Sequence, residues 1–117
     1  MITRIIDALE SATNLPVLPM FTTTIDNQIV YNHYPVADDG AKSQQRLELR
    51  LITKTYSEAE SYRKQIIGAL VPVGDNTLIN GITACELNGG GSLYEGDTKT
   101  YHTLLYFDYI HRSENNE

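Results

Sequence analysis

The sequence predicts an α+β domain, a mostly antiparallel sheet of about four to five strands with two helices packed on one face. Three observations lead there. Two segments carry apolar residues at helical spacing, and residues 45–55 alternate apolar and polar side chains. The elements also read in the order helix, strand, strand, strand, helix, strand, strand, which lacks the strict strand–helix alternation of a doubly wound parallel sheet. A length of 117 residues fits a single domain over 1–117, with 113–117 expected as a disordered tail. A chain of this size buries roughly two-thirds of its unfolded surface, so it needs no metal or disulfide staple.

The first helix is read from Ile2, Ile5, Ile6, Leu9 and Ala12, which recur on one stripe while Arg4, Asp7 and Glu10 lie off it. Thr3 is a candidate cap. Asn14 ahead of Leu15-Pro16 stops the helix, because asparagine tolerates a left-handed cap and proline breaks the ladder. Two extended runs, residues 21–25 and 29–34, flank the turn signal Asp26-Asn27 and read as a short hairpin. Pro35 ends the second strand or marks it as an edge.

Residues 45–55 form the clearest strand. Leu47, Leu49 and Leu51 point one way; Arg46, Glu48, Arg50 and Lys54 point the other, with Ile52 the exception on the polar side. The second helix follows, with Ser57-Glu58-Ala59-Glu60 read as a capping box, Tyr62, Ile66, Ala69 and Leu70 as its buried stripe, and Pro72 and Gly74 closing it. Residues 77–87 form a strand in which Gly81 marks a bulge. Residues 99–112 form a long strand with Tyr101, Leu105, Phe107 and Tyr109 on one face. Between these two, residues 88–97, rich in glycine, are expected as a flexible loop.

The formal net charge of −6 argues against a free-standing nucleic-acid binder, whose affinity comes from basic side chains on phosphates. Asp7 and Glu10 interrupt the N-terminal apolar run, so no signal peptide is expected, and no stretch reaches the roughly twenty apolar residues that span a bilayer. The single cysteine, Cys85, permits no intramolecular disulfide and no cysteine metal cluster; its plain reading is a small buried strand residue.

The search for chemistry gives no catalytic, metal or cofactor residues. His102 and His111 sit an odd number of positions apart on one strand and face opposite ways, so they share no metal. His33 lies on another strand, and all three histidines read as surface or interface residues. Asp38-Asp39-Gly40 lacks the spaced ligands of a calcium loop, and Gly89-Gly90-Gly91 leads into a strand rather than the helix a phosphate cradle needs. An enzyme reading would require at least two of His33, His102, Glu95 and Asp97 in one cleft.

The aromatic set is more informative, with eight tyrosines, two phenylalanines and no tryptophan. Tyrosine suits a surface that is wet in one state and covered in an assembly. Tyr94 and either Tyr101 or Tyr106, together with the adjacent Glu95 and the charged row Arg46, Glu48 and Arg50, are the candidate subunit or partner contacts. Ordinary sheet packing for the tyrosines and a solvated face for the charges are the competing readings.

Taken whole, the chain resembles the tail-terminator (tail-completion) proteins of long-tailed bacteriophages and prophages. The likeness rests on the amphipathic N-terminal helix, the strand Arg-Leu-Glu-Leu-Arg-Leu-Ile-Thr, and its passage through Tyr56-Ser57-Glu58-Ala59-Glu60 into a helix ending at Ala69-Leu70. It also rests on Tyr94-Glu95 and the last strand, Tyr101-His102-Thr103-Leu104-Leu105-Tyr106-Phe107-Asp108-Tyr109. The resemblance implies a structural protein acting by contact, with no cofactor: a homo-hexameric ring, able to be monomeric in solution, that caps the tail tube and stops its growth. The implied partners are the tail-tube protein and a head-completion (connector) protein, with DNA only as passing cargo and no membrane. The implied location is the tail–head interface of the virion, after assembly in the host cytoplasm. Asp38, Asp39 and Asp97 are then expected in acidic loops facing the lumen, where they repel DNA. The alternatives are a ferredoxin-like small-molecule-binding or regulatory module, marked by an apolar pocket with convergent polar groups, an enzyme, and an acidic DNA mimic.

Overall fold

The computed structural model describes residues 2–19, 27–38, 40, 42–71, 79 and 82–112. Helix α1 spans Ile2–Thr13 and buries Ile5, Leu9 and Thr13, with Ile2 and Ile6 packed beside them. Thr3 lies inside the helix and does not cap it. Asn14 does stop it, at φ +59°, with its N–H donating to the Glu10 carbonyl at 2.8 Å. The Thr13 hydroxyl donates to the Leu9 carbonyl at 2.7 Å and accepts the Leu15 N–H at 3.3 Å, so the buried chain reversal is satisfied from within.

Strand β1, Val17–Pro19, pairs in parallel with the start of β2, Gln28–Asp38. The expected strand at 21–25 falls outside the described residues. Asn27 is the anchor of this region: its amide donates to Glu58 Oε2 at 2.6 Å and its carbonyl oxygen accepts the Lys54 N–H at 3.0 Å. Strand β2 does not end at Pro35. It runs on to Asp38 through a bulge between Pro35 and Ala37, on the half of the strand that β1 leaves uncovered. Proline is tolerated there because an edge strand has an N–H side without a ladder partner.

Strand β3, Lys42–Thr53, behaves as its alternation predicts, with Leu47, Leu49 and Leu51 at 0–1 % exposure. Lys54 lies beyond the strand, in the bend leading to helix α2, Tyr56–Leu70. The cap is not Ser57. Thr55 Oγ1 accepts the Glu58 N–H at 3.2 Å and donates to Glu58 Oε1 at 2.9 Å, so the N-cap is Thr55, two residues earlier than expected. The helix buries Ala59, Ile66 and Leu70 and ends with the Val71 N–H on the Ile67 carbonyl, leaving Pro72 and Gly74 outside the described residues.

Strands β4, Ile82–Glu95, and β5, Thr100–Arg112, complete a sheet of order β1-β2-β3-β5-β4, antiparallel except for the β1–β2 pair. The expected glycine loop is mostly strand. From Leu87 to Gly90 the chain advances three residues while β5 advances two, from Phe107 to Leu105, so the extra residue is taken up as a bulge. Gly89 and Gly90 adopt φ +107° and +150°, and a Cβ on Gly90 would run into the Leu104 carbonyl. Glycine here permits close backbone approach. The chain turns only at residues 96–99, with Lys99 at φ +56°. The expected bulge at Gly81 lies outside the described residues.

Both helices cover one face of the sheet. The core joins Ile5, Leu9 and Ile66 to Leu47, Leu49, Leu51, Leu105, Phe107 and Tyr109. Each such large apolar side chain contributes about 1.5–3 kcal/mol on burial. His111, expected at a surface, is on this core face and buried; Cys85 is buried too, and burial pushes its thiol up to about 11. Among the described residues no helix is long and apolar enough to cross a membrane.

Candidate interaction surfaces

The face away from the helices is open, and the predicted row Arg46, Glu48 and Arg50 lies on it. Strand register places Asn32 and Tyr106 either side of Glu48, and Val30 and Leu104 either side of Arg50. These residues line a shallow depression of about 210 Å³. Ile52, the apolar exception, is buried on this face between Gln28 and His102.

Arg46 is held within the sheet. Its Nε donates to Asp108 Oδ1 at 2.9 Å and its second guanidinium contact reaches Oδ2 at 3.3 Å, a bidentate cross-strand pair. Asn88, lifted by the β4 bulge, donates to the same Oδ2 at 2.6 Å. A polar chain thus ties β3, β5 and β4 together. The Arg46 hydrogen bonds hold the Asp108 carboxyl below the usual carboxylate range, and Asp108 raises Arg46 in return. Asp108 was not singled out from the sequence, although its place opposite Arg46 on an alternating strand was the available signal.

Tyr94 and Tyr101 do come together. Their ring centroids are 5.0 Å apart, and Tyr56, the first residue of α2, sits 5.9 Å from Tyr101 in an edge-on arrangement. Tyr94 and Tyr56 are each 55 % exposed, so this trio forms an aromatic surface patch at one end of the molecule. In the sequence Tyr56 carries no signal beyond its place at the entry to α2. Glu95 is used locally, its Oε1 accepting the Asp97 N–H at 3.4 Å in the turn.

The expected acidic loops do not share a location. Asp97 is in the β4–β5 turn, whereas Asp38 ends β2 at the opposite end of a sheet whose longest dimension is 45 Å; Asp39 is outside the described residues. His33 and His102 are on different strands with β3 between them. His102 shares a 3.1 Å hydrogen bond with Thr100, and burial followed by the Arg50 charge pushes it below its ordinary value. Among the described residues no group of three or more histidine, cysteine, aspartate or glutamate side chains is placed to hold a metal ion.

A second depression, about 420 Å³, lies on the helix side between Arg63 of α2 and the edge strand β4. Its floor is Gly89 to Ser92 with Thr103 and Leu105, and it exists because three successive residues carry no side chain. The exposed large apolar side chains among the described residues are confined in the same way. Leu87, Leu93 and Tyr94 lie on β4, Tyr34 and Val36 on the uncovered half of β2, and Tyr56 at the start of α2 against Tyr101 of β5.

No family model matches the chain, and no curated protein matches it in sequence. Its fold has a counterpart in a virion. A chain from the virion of a native gene transfer agent particle superposes with a TM-score of 0.63, over 90 % of this chain and 84 % of that one. The two are 14 % identical, so what they share is the fold.

Proposed function

We propose that the chain is a structural component of a phage-like virion, and within it the tail-completion subunit. In this reading it assembles in the host cytoplasm, forms a ring on the last layer of tail-tube protein, ends tube growth and offers the docking surface for a head-completion protein. It works by contact rather than catalysis. The observation that carries the reading is the fold shared with a gene transfer agent virion chain across nearly the whole length of both. The sequence resemblance to tail terminators and the exposed tyrosines and leucines at two sheet edges favour the same role.

The test is genetic and visual. Particles made without this chain should show overlong or headless tails by electron microscopy. Tails of normal length on normally joined heads would contradict the proposal.

A further inference from the structure

Among the described residues the sheet presents two open edges. One is β4, fourteen residues long. It contains no proline and no lysine; it carries Glu86 and Glu95 and two bulges, between Ile82 and Ala84 and between Leu87 and Gly90. The other is β2 beyond β1. Strand β1 covers Ile29 to Tyr31, and among the described residues no strand pairs with the outer side of 32–38. That free half spans about 23 Å of extended chain, half the 45 Å length of the molecule.

Of the six exposed large apolar side chains among the described residues, five sit on these two strands and the sixth, Tyr56, on α2 against Tyr101 of β5. Two different sticky edges on opposite sides of one subunit suit a heterologous, head-to-tail contact, which closes into a ring when the rotation allows. Strand direction agrees. β2 is antiparallel to β3, β3 to β5 and β5 to β4, so β4 runs opposite to β2. Copies standing the same way up therefore bring β4 of one beside β2 of the next in the antiparallel sense, which pairs slightly more stably than the parallel one.

We infer that the partner at the β4 edge is a second copy of this chain, its β2 residues 32–38 adding antiparallel to β4. The sheet then continues from subunit to subunit. Register across the sheet sets His33 level with Leu87 and Asp38 level with Ile82, so Leu87 of one copy becomes covered together with Tyr34 and Val36 of the next. The Pro35–Ala37 bulge limits the ladder to short regular stretches, so the apolar side chains supply much of the contact. This inference rests on the ring reading above and names the surfaces that build it.

Engineered cysteines test it. Val36→Cys and Leu87→Cys both replace exposed side chains, and the native Cys85 is buried, with wild type as its control. With a short flexible thiol crosslinker, the double variant should give a ladder of oligomers and each single variant alone none. The reaction is run on purified particles and on concentrated purified protein. A dimer from Leu87→Cys alone would show β4 pairing with itself and would overturn the inference. No ladder in particles that contain the chain would overturn it too, while leaving the virion role standing. A ladder from the concentrated protein, with the chain missing from particles, would support the contact and discard the virion role. No ladder in either sample rejects the contact.

Discussion

Replacing Gly90 by alanine places a methyl group where the β4 bulge brings two backbones together. Two costs follow. A φ of +150° belongs to a region that glycine alone occupies readily, at about 1–3 kcal/mol for other residues. The new Cβ also meets the Leu104 carbonyl, which is ladder backbone and cannot swing aside as a side chain would; overpacking of that kind costs about 1–3 kcal/mol. The sum is a loss of roughly 2–6 kcal/mol, set against a total stability of about 5–15 kcal/mol for an ordinary domain. At about 4 °C per kcal/mol for a chain of this size, the melting midpoint should fall by roughly 8–24 °C. Gly91 is the internal control, because a Cβ there meets nothing within 4 Å. Gly91→Ala should change stability by less than about 0.5 kcal/mol. Thermal and urea unfolding by circular dichroism measure both. Equal stability of the two variants would show that the glycines form no bulge against β5 and would refute the description of β4 as one continuous edge.

Other predictions concern the caps, the cross-strand pair and the thiol. Thr55→Ala should destabilise by about 1 kcal/mol and Ser57→Ala by clearly less, measured by urea unfolding, since the Thr55 hydroxyl makes both cap bonds. Asp108 is held below the ordinary carboxylate value, so its contribution is present above that value and is lost as pH falls through the folded one. Asp108→Asn should therefore lower the urea midpoint at neutral pH and flatten the acid limb of a stability–pH curve. His102 is also pushed down. The unfolded chain takes up its proton first, so stability declines as pH falls from about 6.5, and His102→Gln should remove that decline. Cys85 should react slowly with a thiol reagent in the folded protein and rapidly once unfolded; labelling as fast as free cysteine would contradict its burial.

The parts of the fold legible in the sequence are those written by a strong period. The Leu47, Leu49, Leu51 alternation and the Ile5, Leu9 stripe sit where pattern places them, because burial on one face leaves them no other side. The α+β class followed from the element order. Short-range signals with close rivals misled. Ser57-Glu60 and Thr55-Glu58 both satisfy the capping pattern, and only the position of the first helical residue decides between them. The triple glycine reads as loop by composition, yet composition carries no record of the β5 backbone lying against it. Strand β1 is three residues long and was invisible because so short a run has no period. For the surfaces, the sequence supplied Arg46, Tyr94 and Tyr101 but not their partners Asp108 and Tyr56, since those pairings depend on register across strands up to 62 positions apart.

The most direct measurement is the protein inventory of purified tailed particles, by quantitative mass spectrometry with an immunogold label for position. The account predicts the chain at a fixed copy number equal to one ring per tail, located where tail meets head. Its absence from intact particles, or a copy number that rises with tail length as a tube protein's would, contradicts it.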